Sequence, residues 1–296
     1  MTSFRRAAVF AWQNPLHETN GKQSDLRIGI IGGGVIARLI LDEVRQGSLR
    51  DLEVTGLLGR RSASRGKPLA ESFGVPFMTT LDDLLGTKPD VVVEAASHDA
   101  VRAYAPPLLA AGVSVLVLSG GALVDDALRD RLERLAAEHH AFLCVPSGGI
   151  GGLDALKAVC AAGAEEVEIA VTKPPAAWKG IPYVERSGVD LDRLDGPVTL
   201  FDGTAREGVP HFPANVNIAA VLALAGIGFD RTRLRVVADP ALRFNTHYIN
   251  IRGLTGSISI KFESVPSPDN PKTAMLACYS ALAALKALAS PVRYGT

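Results

Sequence analysis

The stretch that most constrains this chain is an apolar strand signal, Arg27–Ile31, that runs without a break into Gly32-Gly33-Gly34-Val35-Ile36-Ala37 and then into a helical pattern. The segment fits G-x-G-x-x-G/A with alanine in the last place. Gly32 permits the tight bend, Gly34 lets the backbone approach a pyrophosphate, and Ala37 allows the helix to pack closely on the strand. The start of the helix presents free N–H groups and a partial positive charge to phosphate. Gly32, Gly34, Val35 and Ile36 are therefore expected to contact a dinucleotide, NAD or NADP. A turn that binds nothing can carry the same glycines, and it is the strand before and the helix after that favour binding.

The residue that ends the second strand of such a unit separates the two cofactors, because an acid there accepts the ribose 2′-OH of NAD. Leu52–Leu58 is instead followed by Gly59-Arg60-Arg61-Ser62. Arg60 and Arg61 can pair with the 2′-phosphate of NADP. They fit equally well as two solvated surface arginines.

Strand signals at Val91–Ala95, Val113–Leu118 and Ala141–Val145 alternate with helical periodicity at Ala100–Ala111 and Leu123–His140. This is the βαβ pattern of a doubly wound parallel sheet of the Rossmann type. The alternation stops in the turn-prone run Pro146-Ser147-Gly148-Gly149-Ile150-Gly151-Gly152. The chain is thus read as an N-terminal extension over 1–25, a dinucleotide-binding domain over 26–147, and an α+β domain for substrate binding and dimerisation over 148–296. In the last region helices are expected at Leu153–Ala162 and Ala214–Ala225, and strands at Glu166–Thr172, Phe244–Arg252 and Ser257–Glu263. The last two strands alternate polar and apolar residues, as a sheet with one wet or functional face does. A final helix over 270–290, with Asn270 as N-cap and Pro271 in its first position, would bury Met275, Tyr279, Leu282 and Leu285 and could pack back on the first domain.

Thirty-one basic residues balance thirty-one acidic ones, so no basic field attracts nucleic acid or anionic membrane. No apolar run reaches transmembrane length. Cys144, Cys160 and Cys278 are odd in number and lack metal-ligand spacing, so neither a disulfide framework nor a structural zinc site is expected. His139, His140 and His211 read as surface residues, His17 lies in the extension, and no set of histidines suggests a metal site. The expectation is a cytoplasmic homo-oligomer, such as a homodimer, acting on a small molecule.

Several segments together resemble the aspartate dehydrogenase family from about Arg27 to Leu288. They are Val93-Glu94-Ala95-Ala96-Ser97-His98, Ser119-Gly120-Gly121-Ala122-Leu123, the run from Pro146 to Asp154, Lys173-Pro174-Pro175-Ala176-Ala177-Trp178, Pro213-Ala214-Asn215-Val216-Asn217, and Asp269-Asn270-Pro271-Lys272-Thr273. The resemblance implies oxidative deamination of L-aspartate to oxaloacetate and ammonia through iminoaspartate, with a use in pyridine nucleotide biosynthesis. It also implies that His247, in Asn245-Thr246-His247-Tyr248-Ile249, is the active-site histidine, and that Asn217 and Gly149 are cofactor contacts. The family usually carries alanine where Gly149 stands.

Alternation alone places His247 on the strand face of Ile249 and Ile251, and this also describes a core histidine held by a neighbour. An aspartate pocket needs donors for two carboxylates, for which Lys173, Lys179 and Lys272 stand in matching segments. Lys272 would open the final helix, where a lysine opposes the helix dipole. His98, just after a strand of the first domain, could touch substrate or lie solvated, and Glu94 reads as a hydrogen-bonded structural carboxylate. Two other functions stay open: a reductase of another aspartate-derived substrate, and a non-catalytic module that senses NAD(P).

Overall fold

The computed structural model describes residues 25–61, 65–213, 215–267, 270–292 and 294. Apart from Asp25, the extension read at 1–25 lies outside the described residues, as does Ser62.

The first domain alternates strands and helices throughout. In order they are β1 (Leu26–Ile31), α1 (Val35–Arg45), β2 (Leu52–Leu58), α2 (Gly66–Phe73), β3 (Phe77–Met78) and α3 (Leu81–Gly86). There follow β4 (Val91–Glu94), α4 (His98–Ala110), β5 (Ser114–Val117), α5 (Asp126–Glu138) and β6 (Leu143–Cys144). All pairings are parallel in the order β3-β2-β1-β4-β5-β6. Val91, Val92 and Val93 are each fully buried, because helices cover both faces and leave no wet side to alternate with. The strand order reverses between β1 and β4, and at such a switch point a crevice opens beyond the carboxyl ends. Local capping agrees with the topology: Ser97 and Asp125 accept the N–H groups of Ala100 and Leu128 and start α4 and α5.

The second domain begins with α6 (Leu153–Ala162), β7 (Ala164–Lys173), α7 (Pro182–Ser187), β8 (Val198–Thr204) and α8 (Ala205–Gly208). It continues with α9 (Asn217–Ala225), β9 (Thr232–Ala238), β10 (Asn245–Gly253) and β11 (Gly256–Ser264). The five strands form a mixed sheet, β11-β10-β7-β9-β8, in which β7 and β9 run parallel and the other pairs antiparallel. One face packs Val167, Ile169, Val171, Ile249 and Ile251 with Leu156, Val159, Ala219 and Leu222 of α6 and α9. The other carries Arg252 against Glu165 and Glu166, and Arg235 against Glu168 and Asp202. The wet face expected of β10 and β11 is thus a mosaic of ion pairs.

The sequence reading needs correction at several places, beginning with α2, β3 and α3, for which it offers no element. Asn270 and Pro271 do not start the last helix, because β13 (Asn270–Ala274) pairs with β12 (Pro266–Ser267) in a hairpin, and α10 (Met275–Ala289) begins only after it. Pairing across the hairpin overrides the local capping preference, so Lys272 lies on a strand and its side chain is outside the description. Tyr279 is exposed rather than buried, whereas Ala281, Leu282, Leu285 and Leu288 pack into the core formed by β1 and α1 of the first domain. The helix expected from Ala214 starts at Asn217, and strands β8 and β9 lie outside the expected strands.

Candidate functional site

The turn after β1 shows which glycines the fold needs and which it does not. Gly32 has φ of +104°, a conformation side chains avoid, and a Cβ there would lie 2.5 Å from the Ala95 carbonyl oxygen. At Gly33 a Cβ would fall 2.3 Å from Gly66 Cα. At Gly34, the N-cap of α1, a Cβ would meet nothing within 4 Å, yet the residue lines the cleft. The space beside Gly34 is open to the cleft, next to helix N–H groups that no side chain caps. The turn therefore fits the pyrophosphate of a dinucleotide.

The cleft has a volume of about 910 Å³ and lies between the two domains. It brings together Gly34, Val35, Ile36, His98, Gly149, Lys173, Asn217 and His247. Gly32 shapes the turn from beneath without lining the cleft. Arg60 and Arg61 are exposed beyond the end of β2 and are not among its walls. Lys179 lies outside it too, paired with Asp192 at the surface.

Glu94 and Asn217 organise the walls. Glu94, 1% exposed at the end of β4, accepts the N–H groups of Ala96 and Ser97 and both the N–H and hydroxyl of Ser119. Four donors converge on this carboxylate and tie the loops after β4 and β5 together, which bears out its structural reading. Asn217 opens α9, and its Oδ1 accepts the Gly121 N–H at 3.1 Å and lies 2.9 Å from His98 Nε2. One amide oxygen thus joins the domains. The approach requires glycine at 121, where a Cβ would sit 2.6 Å from that oxygen and 2.7 Å from the His98 ring. Gly121 and Ser119 stand in a segment singled out for resemblance, but nothing in the sequence alone assigns them these contacts.

The second domain contributes the titratable groups. β10 pairs on both sides, His247 lying opposite Val171 of β7 and Phe262 of β11, so its ring is only 3% exposed. Burial first, and the Lys173 charge second, push its pKa down to about 3. Nδ1 has no well-formed hydrogen bond among the described residues. The ring is therefore neutral in this cleft.

Lys173, at the end of the central strand β7, is 5% exposed and its pKa falls to about 8 because it is desolvated. Its Nζ donates to the backbone oxygen and Oδ1 of Asn215, both at 3.1 Å, and lies 5.1 Å from the centre of the Trp178 ring. The sequence offered one clue to Asn215, a second polar residue two before Asn217. Gly149 has Ile218 and Ala274 side-chain carbons at 3.5 and 3.7 Å from where a Cβ would stand, so alanine fits there by ordinary contact.

Among the described residues no helix is long and apolar enough to cross a membrane, and no cluster of three or more His, Cys, Asp or Glu could hold a metal ion.

A nucleotide cradle on one domain and protonatable groups on the other, closing on one cleft, is the division of labour of a two-domain pyridine-nucleotide oxidoreductase of small molecules, and the molecule is of that class. Residues 32–146 match the family profile described as homoserine dehydrogenase, NAD binding domain, and residues 154–288 match aspartate dehydrogenase, C-terminal. The L-aspartate dehydrogenase of Methanosarcina mazei is 45% identical over 92% of this chain and 100% of its own length. L-aspartate dehydrogenase 2 of Bordetella pertussis is 42% identical over 88% of this chain and 96% of its own. The crystal structure of aspartate dehydrogenase from Thermotoga maritima superposes with a TM-score of 0.70 at 28% identity, covering 91% of this chain and 99% of that one. The chain belongs to the aspartate dehydrogenase family.

Proposed function

We propose that the protein oxidises L-aspartate with NAD or NADP to iminoaspartate, which water then converts to oxaloacetate and ammonia. The observation that carries this reading is the placement of His247 and Lys173 in the same cleft as the open side of Gly34. Held at Gly34 and by the N–H groups of Val35 and Ile36, the dinucleotide supplies the hydride acceptor. A dicarboxylate suits a pocket whose buried cation, Lys173, has no carboxylate paired with it among the described residues. Its negative charge offsets that of Lys173 and so raises the depressed basicity of His247. With substrate bound, the unpartnered Nδ1 of His247 accepts a proton from the water that attacks the imine carbon and returns one to the departing nitrogen. Hydride, one water oxygen and ammonia balance as L-aspartate + NAD(P)⁺ + H₂O → oxaloacetate + NH₃ + NAD(P)H + H⁺. The reaction is reversible, and iminoaspartate is a fitting precursor for pyridine nucleotide biosynthesis.

The test is nicotinamide absorbance across amino acids with both nucleotides. Activity confined to L-aspartate is expected, and silence on every amino acid would return weight to a sensing module. His247→Asn should lower kcat by roughly 10²–10⁴-fold and leave nucleotide affinity nearly unchanged. A variant that keeps most of its turnover at neutral pH makes the ring structural.

A further inference from the structure

We propose that Lys173 is a second catalytic residue, which takes a proton from the substrate ammonium so that hydride leaves from a neutral amine. The inference rests on the aspartate reading above. It starts from a chemical requirement: an amino acid enters as an ammonium ion, whose nitrogen has no lone pair to form the C=N bond as the Cα–H pair departs. Some group in the cleft must take that proton first. Before that transfer His247 is the weaker base of the two, because burial above all holds its ring neutral.

The geometry around Nζ accommodates the neutral amine as well as the ammonium. A neutral –NH₂ has two hydrogens and one lone pair, and the backbone and side-chain oxygens of Asn215 take two N–H bonds. Both bonds survive deprotonation, and the lone pair is left for the cleft that Lys173 lines. A buried ammonium usually gains a carboxylate partner, but here none pairs with it among the described residues. Among the described residues the charged and titratable groups facing the cleft are otherwise His98, engaged with Asn217, the pair Asp99 and Arg102, and His247. Trp178 packs under the lysine and Asp239 donates its backbone N–H to the Lys173 carbonyl. Desolvation accordingly lowers the pKa to about 8. In the transfer an N–H bond of the substrate breaks and one on Nζ forms. The new lysine ammonium is then stabilised by the two substrate carboxylates, which makes the step favourable where the substrate is a dicarboxylate.

The experiment compares the pH dependence of kcat/KM for L-aspartate oxidation in wild type, Lys173→Met and Lys173→Arg, together with ¹⁵N NMR titration of Nζ in the full chain, assigned by the signal that is lost in Lys173→Arg. In wild type the acidic limb should have its midpoint near pH 8, and Nζ should titrate in the same range. Lys173→Met should lose ~10²–10⁴-fold in kcat/KM, with the limb moved up to the substrate's own amino group. Lys173→Arg should be as inactive, since a guanidinium keeps its proton. Wild-type rates in the Arg variant, or a Met variant with raised KM and intact kcat, would make Lys173 a carboxylate holder and overturn the proposal. So would an Nζ that stays protonated to about pH 10, a measurement that decides the matter even if Lys173→Met fails to fold. A wild-type chain inert toward L-aspartate is a separate result, which sinks the functional reading on which the proposal stands.

Discussion

Two residues in the cleft are shaped by opposite demands. At Gly34 a Cβ would meet no protein atom within 4 Å, so packing does not demand glycine there. Gly34→Val should fold normally and lose dinucleotide binding by calorimetry, and a variant that binds as well as wild type removes the turn from the cofactor site. His247 is constrained by its burial. Its pKa falls from 6.5 in the unfolded chain to about 3 in the folded one, so the unfolded chain takes the proton first. Stability present above pH 6.5 is therefore lost as the pH drops toward 3. Relative to His247→Asn, wild type should lose ~3 kcal/mol between about pH 6.5 and pH 4 in denaturant titrations. A difference that stays flat with pH means that the ring is solvated.

At the level of elements, the end of β2 and the start of α10 show how far a local pattern carries. Arg60 and Arg61 follow β2 in an exposed position, and one charge-assisted contact from there to a 2′-phosphate would contribute ~1.5–3 kcal/mol. We expect NADP to be accepted at least as readily as NAD, and the double change to alanine to weaken NADP binding alone by about one to two decades. An equal loss for both nucleotides, or none, makes these arginines surface residues. At residues 270–274 the same kind of local reasoning goes astray. Asn-Pro is a good helix start, but the segment has a strand to pair with, and the helix is deferred to Met275. A terminal preference contributes about 1 kcal/mol and yields to a hairpin that places Ala274 in the cleft wall.

In the whole molecule the two domains are laced together, which holds the cleft in shape. α10 follows the second sheet in the chain but buries Ala281, Leu282, Leu285 and Leu288 in the core of the first domain, while Ser280 on the same helix accepts the Gly148 N–H. Arg206 of the second domain donates to the Val124 carbonyl and pairs with Asp126, and Asn217 joins Gly121 and His98. Leu285 is fully buried, so Leu285→Ala should cost ~2–5 kcal/mol. The loss should lower the melting temperature of the first domain in particular and weaken nucleotide binding. If only the second domain melts earlier, α10 is not part of the first core.

The sequence alone determined five of the six strands of the first domain and the helices α1, α4 and α5, because their signals are local and redundant: β1, the glycine turn and α1 are contiguous, and buried valine runs need no partner to be recognised. By contrast α2, the two-residue β3 and α3 are too short to show a period and are defined by packing against β2. The chemistry of the glycine turn sufficed to single out Gly34, whereas Lys173, Asn217 and His247 were singled out by the resemblance of their segments to a family. Strand β9, Thr232–Ala238, alternates Leu234, Val236 and Ala238 with Arg233, Arg235 and Val237, and its two arginines pair across the sheet with Asp202 and Glu168. What tertiary structure decided was everything that depends on distance between remote residues. Asn215 reaches Lys173 across 42 positions and Asn217 reaches His98 across 119, and no periodicity encodes such contacts. The protonation of His247 and Lys173 belongs to the same class, because a side chain's pKa is set by the water it loses and the charges it meets on folding, and neither is written in its own segment.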